Sequence, residues 1–118
     1  MAWKDETGAD ELQMAKNYLG LTDEEGLNWG IIRGGMTSVA NLFIAQIQDY
    51  LGLGAESRMN TPGVASGNWQ WRLKKNQLTK KLAARIGHLT WMSGRDTNPM
   101  CKQEEVAEEA AATETEEA

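Results

Sequence analysis

A chain of 118 residues is long enough for one domain or a piece of one, and an apolar content of 41% argues against wholesale disorder. The formal charge of -5 sits at one end: residues 102–118 carry seven Glu against one Lys, a net of -6, which leaves +1 on the first 101 residues. A nearly neutral body excludes strong non-specific attraction to nucleic acid, and no stretch reaches the ~18 consecutive apolar residues of a membrane span. The single cysteine, Cys101, has no second thiol for an internal disulfide or a metal site, which fits a reducing, cytoplasmic setting. Met1-Ala2-Trp3-Lys4-Asp5-Glu6 opens without an apolar run and does not read as a signal peptide.

From Asp10 to Leu19, the spacing of Leu12, Ala15, Tyr18 and Leu19 predicts a helix, with Gly20 at the left-handed position after its end. Thr22-Asp23-Glu24-Glu25 has the form of a capping box and predicts a second helix over 23–39, with Trp29, Ile32, Met36 and Val39 buried. Gly34-Gly35 would cost that helix up to ~2 kcal/mol relative to two alanines, and such a pair marks close packing more often than ligand contact. Leu42-Phe43-Ile44-Ala45-Gln46-Ile47 is short, apolar and continuous, the pattern of a strand (42–47) buried on both faces. Asp49, the one acid near the end of that strand, is expected to cap the short turn that follows, with a role in a site as the alternative. Residues 52–72 read as a long loop, and Leu82, Ile86 and Leu89 predict a last helix over 79–91 with Lys80, Lys81 and Arg85 outside. Residues 99–118, rich in Glu and Ala, read as an acidic disordered tail.

The strand has no companion in this pattern. Buried N–H and C=O groups along its two sides must be paired, and nothing else here can flank it. The order helix, helix, buried strand, long loop, helix suits the last unit of a (β/α)8 barrel, whose active site lies in the loops after the strands. A whole barrel takes about 250 residues. The chain therefore reads as a fragment of an α/β fold, with residues 1–98 forming the barrel piece.

The loop combines two Trp, two Arg and two Asn with glycines and a proline: Arg58-Met59-Asn60-Thr61-Pro62-Gly63, then Gly67-Asn68-Trp69-Gln70-Trp71-Arg72. Two readings fit this composition. Flat indole faces beside amide and guanidinium donors suit a sugar. Alternatively, Trp69 and Trp71 fill a core gap while Arg58 and Arg72 pair with backbone carbonyls. These two runs, with Leu51-Gly52-Leu53-Gly54-Ala55-Glu56-Ser57 before them, resemble the C-terminal signature of the 4-α-glucanotransferases (amylomaltases, or disproportionating enzymes; glycoside hydrolase family seventy-seven). Weaker similarity extends from about Trp3 to about Arg95.

The resemblance implies a TIM-barrel enzyme that moves α-1,4-glucan segments between malto-oligosaccharides by a retaining double displacement. Such chemistry needs two carboxylates ~5–5.5 Å apart across the bond. In the family, the nucleophilic Asp, the acid/base Glu and a third, stabilising Asp all precede the matched region. The His-Asp-Asn motif that holds the third would fall just before Trp3 and is absent, so no catalytic residue is assigned here. What the resemblance carries over is substrate binding. Asn60 matches the family asparagine that reaches into the cleft, and Asn68, Trp69 and Arg72 match the signature as either scaffold or sugar contacts. Gln48, at the end of the expected strand, is similarly open. The expected partners are an α-1,4-glucan and the missing N-terminal part of the barrel.

No metal or cofactor is expected: His88, the only histidine, lacks partners at ligand spacing and reads as a helix-surface residue. The cluster Arg72, Lys74, Lys75, Lys80, Lys81 and Arg85 beside two Trp could clamp single-stranded nucleic acid, but no nucleic-acid motif accompanies it. A non-catalytic module that binds glucan or a partner protein through the same loop is the alternative function.

Overall fold

The computed structural model describes residues 2–96, and the chain divides into one unit over Met1–Gln77 and another beginning at Leu78. The expected acidic tail, 99–118, lies outside the described residues. In the first unit, α1 (Ala2–Glu6), α2 (Ala9–Leu19), α3 (Leu27–Met36) and α4 (Ile47–Tyr50) precede a single 3-10 turn, Ala55–Ser57. The second contains α5 (Lys80–Met92). None of these helices is long and apolar enough to cross a membrane.

Helix α2 carries Asp10 and Glu11 in its first turn, where they favour the positive end of the helix dipole. It ends where Gly20 turns left-handed (φ 62°) and its amide donates to the Lys16 carbonyl. Leu12, Ala15 and Leu19 are half-buried, but Tyr18 is 87% exposed, a correction to the expected stripe. The inner edge of α2 meets α3 through Leu19, whose side chain lies over Gly34.

The expected capping box forms by half. The Glu25 amide donates to Thr22 Oγ1 at 3.3 Å, while the Glu25 carboxylate turns to Arg33 (Nε–Oε1 2.7 Å). Arg33 also donates to the Leu19 carbonyl at 3.0 Å, so one guanidinium ties the end of α2 to the turn before α3. The hydrogen bond to Glu25 raises the Arg33 pKa above its ordinary value. With 22–25 taken up in that turn, the helix starts at Leu27 rather than at residue 23.

Helix α3 is the centre of the unit, with Trp29, Gly30, Ile32 and Met36 buried. Val39 was expected on this stripe but is fully exposed, because the helix ends at Met36. There the hydroxyls of Thr37 and Ser38 donate to the carbonyls of Arg33 (2.8 Å) and Gly35 (2.7 Å), groups near the helix end that further turns would otherwise use. The Gly34-Gly35 pair serves close packing: Leu19 lies over Gly34, and the Phe43 ring lies against Gly35.

Helix α4 docks on α3 at two points. Asn28 Nδ2 donates to the Asp49 carbonyl at 2.8 Å, and the Trp29 and Tyr50 rings meet edge to face, 5.7 Å apart at 63°. Burial at this contact raises the Tyr50 phenol pKa. Asp49 lies inside α4 and does not cap it; Gln46 takes the N-cap position without a side-chain bond.

The strand expected over 42–47 is not present, and the described residues contain no strand at all. Ile47 opens α4, and Leu42 and Ile44 are 75% and 78% exposed. A strand exists only through pairing, and among the described residues none of the amides of Leu42–Gln46 is hydrogen-bonded. Burial of this stretch is not a property of the chain by itself.

In the second unit, Thr79 Oγ1 accepts from the Leu82 amide at 3.0 Å, an N-cap that starts α5. Leu89 is buried and Leu82 and Ile86 half-buried, with Lys80, Lys81, Arg85 and His88 on the exposed side. His88 stands 5.8 Å from the Trp91 ring.

Candidate functional site

The loop begins where Gly52 (φ 67°) closes α4, its amide donating to the Asp49 carbonyl at 3.1 Å. The Glu56 carboxylate accepts from the Gly54 amide at 3.0 Å, and backbone amides hold its pKa below the ordinary carboxylate value. Ser57, 2% exposed, donates its hydroxyl to the Gly54 carbonyl at 2.9 Å. Its own carbonyl accepts from buried Gln48 Nε2 at 3.2 Å. Gln48 thus fastens α4 to the entrance of the loop, and Nε2 is committed to protein. Arg58 Nη2 lies 2.9 and 3.0 Å from the two Glu6 oxygens.

Beyond Arg58 the chain makes a closed excursion. Pro62-Gly63, with Gly63 at φ 80°, turn the chain so that the Val64 amide reaches the Thr61 carbonyl at 3.2 Å. Asn68 spans the turn: Oδ1 accepts from the Thr61 amide and Nδ2 donates to the Val64 carbonyl, both at 2.8 Å. The Trp69 amide donates to the Met59 carbonyl and closes the base. Trp69 is left-handed (φ 62°), unusual for an aromatic residue, and its side chain is 65% exposed.

The five residues singled out from the sequence therefore separate into two groups. Gln48 is buried, and Gln48 and Asn68 both spend amide groups on holding the loop. Asn60, Trp69 and Arg72 are exposed. The bond between Met59 and Trp69 brings the backbone next to Asn60 beside that of Trp69, at the base of the loop. Trp71 is half-buried, the position expected of a residue filling a gap.

A cleft of about 430 Å³ was not foreseen from sequence. Trp3, Asn28, Phe43, Gln48, Asp49 and Arg58 are among the residues that line it, two aromatic side chains with amides and both charge signs. Its volume lies within the ~300–1,000 Å³ range of ligand pockets. Asn28 carries no local signal for this role, since its place depends on how α3 crosses α4.

Residues 1–79 match the family model described as 4-alpha-glucanotransferase. The 4-alpha-glucanotransferase of Clostridium butyricum is 48% identical over 94 residues, an alignment covering 79% of this chain and 19% of that one. The Synechocystis sp. 4-alpha-glucanotransferase is 43% identical over 95 residues, covering 80% and 19% respectively. Among solved structures, the amylomaltase from Streptococcus agalactiae in complex with acarbose superposes with a TM-score of 0.76 at 30% identity, over 80% of this chain and 19% of that chain. The chain spans about a fifth of the length of the relatives it matches.

Proposed function

Because this chain belongs to the 4-alpha-glucanotransferase family, we propose that it is a piece of such an enzyme, the C-terminal part of a (β/α)8 barrel. In this reading it supplies part of the sugar-binding cleft, and the catalytic carboxylates come from outside it. The complete assembly transfers α-1,4-glucan segments between malto-oligosaccharides by a retaining double displacement in the cytoplasm. The observation that carries the proposal is the loop: a family-matching segment that holds Asn60 and Trp69 exposed on a base closed by main-chain hydrogen bonding.

Physically, Asn60 can donate to one sugar hydroxyl and accept from another. The exposed face of Trp69 can take the C–H face of a glucose ring, and Arg72 adds a fork of N–H donors. None of the three supplies a proton or a nucleophile, so their work is to bind and orient. Orientation of a donor glucan at the reacting bond is itself a large part of catalysis. The acarbose in the related amylomaltase supports an oligosaccharide as the ligand class.

The test mixes this chain with the four-fifths of the Clostridium butyricum relative that it does not match. The mixture is expected to disproportionate maltotriose, and neither piece alone is. Asn60→Ala should then lower transfer about tenfold or more with the melting curve unchanged. Unchanged kinetics would remove Asn60 from the sugar-binding surface, and a stable but inactive complex would overturn the proposal.

A further inference from the structure

We propose that Asn68 is a positioning residue, whose side-chain amide closes the 61–68 turn and so holds Asn60 and Trp69 side by side for a glucan chain. This inference rests on the sugar-binding reading above. It adds the device that makes the binding surface, in a residue whose amide oxygen and nitrogen are both engaged with the loop backbone.

The hydrogen bonding of the loop carries the argument. Between Met59 and Trp69 the turn is tied by the Val64 amide to the Thr61 carbonyl and by the two bonds of Asn68. Among the described residues, Ala65, Ser66 and Gly67 make no hydrogen bond, so above the Met59–Trp69 backbone bond at the base only these contacts fasten the turn to the returning limb. Only a side chain with a donor and an acceptor on one planar group, at this length, can take an amide and a carbonyl together. Aspartate keeps the acceptor for Thr61 but faces the Val64 carbonyl with like partial charge. Alanine loses both bonds.

Trp69 adds a second reason. A non-glycine residue at φ 62° is held against a preference of about 1–2 kcal/mol. It keeps that conformation only while its neighbours impose it. The residue directly before it is Asn68, whose backbone is fixed by its own side chain. Release of the clasp frees Trp69 to return to negative φ, which swings the indole away from Asn60.

The experiment uses the full 118-residue chain, labelled with 15N and titrated with maltoheptaose, as wild type, Asn68→Ala and Asn68→Asp. Wild type is expected to bind, with shifts centred on the Trp69 and Asn60 signals. Asn68→Ala should weaken binding about tenfold with the melting temperature unchanged, and the Thr61 amide should lose its exchange protection. Asn68→Asp should recover Thr61 protection and part of the affinity, a rescue that a purely structural role would not couple to sugar. Equal affinity of wild type and Asn68→Ala overturns the inference while leaving the sugar-binding reading intact. A wild type that keeps Thr61 protected yet shows no shifts overturns the reading and the inference with it.

Discussion

Replacing Trp29 by alanine should destabilise the first unit by about 3–5 kcal/mol, the range for removing a large buried aromatic. Trp29 is 8% exposed, lies at the first turns of α3 and takes the edge-to-face contact with Tyr50 that docks α4. The void left there has few neighbours able to collapse into it, because the buried apolar set of this unit is small: Trp29, Ile32 and Met36. Small domains hold only about 5–15 kcal/mol in total, so the variant should lose a large part of the unit's stability. Urea denaturation followed by far-ultraviolet circular dichroism measures it. A second readout is the Tyr50 phenol, which should titrate at lower pH in Trp29→Ala because the burial that raises its pKa is lost. A midpoint within error of wild type would show that α4 is held by Asn28 and Asp49 without help from the rings.

Gly35→Val should cost about 2–3 kcal/mol, although a glycine in a helix is ordinarily the residue to replace. In open space, glycine to alanine gains up to ~1 kcal/mol of helix propensity. At Gly35 any Cβ runs into the Phe43 ring, which is rigid and cannot yield as a flexible side chain would. Overpacking of this kind costs typically ~1–3 kcal/mol, and the second methyl of valine leaves no orientation that avoids it. Phe43 anchors the irregular stretch before α4, so its displacement should also widen the cleft that it lines. Gly87 is the control, a helical glycine in α5 with nothing within 4 Å of an added Cβ. Gly87→Ala should stabilise, and the two substitutions should therefore differ in sign.

Parts of this fold can be read locally and parts cannot, for definite reasons. The left-handed Gly20 and the close packing at Gly34-Gly35 follow from the chemistry of glycine alone. The second half of the capping box fails because Glu25 has a better partner eight residues on, a guanidinium that no four-residue motif includes. Tyr18 and Val39 share a spacing with buried neighbours but have nothing to face, since periodicity marks a stripe and says nothing of what covers it. The stretch 42–46 has the composition of a buried strand and yet lies unpaired and partly exposed, because pairing is supplied by other chain segments. At the candidate site, the residue types were visible in the sequence. The distinction between Asn60, which is exposed, and Asn68, which is spent on Thr61 and Val64, depends on a closure that spacing does not reveal.

That unpaired stretch is also where the account is most exposed to test. Amide hydrogen exchange at Leu42–Gln46, measured on the chain alone and after mixing with the unmatched four-fifths of the Clostridium butyricum enzyme, addresses it directly. Exchange is expected to be fast in the chain alone and strongly slowed on mixing, as these amides acquire partners from the other polypeptide. Equally fast exchange in both samples, with the two polypeptides associated, would contradict it.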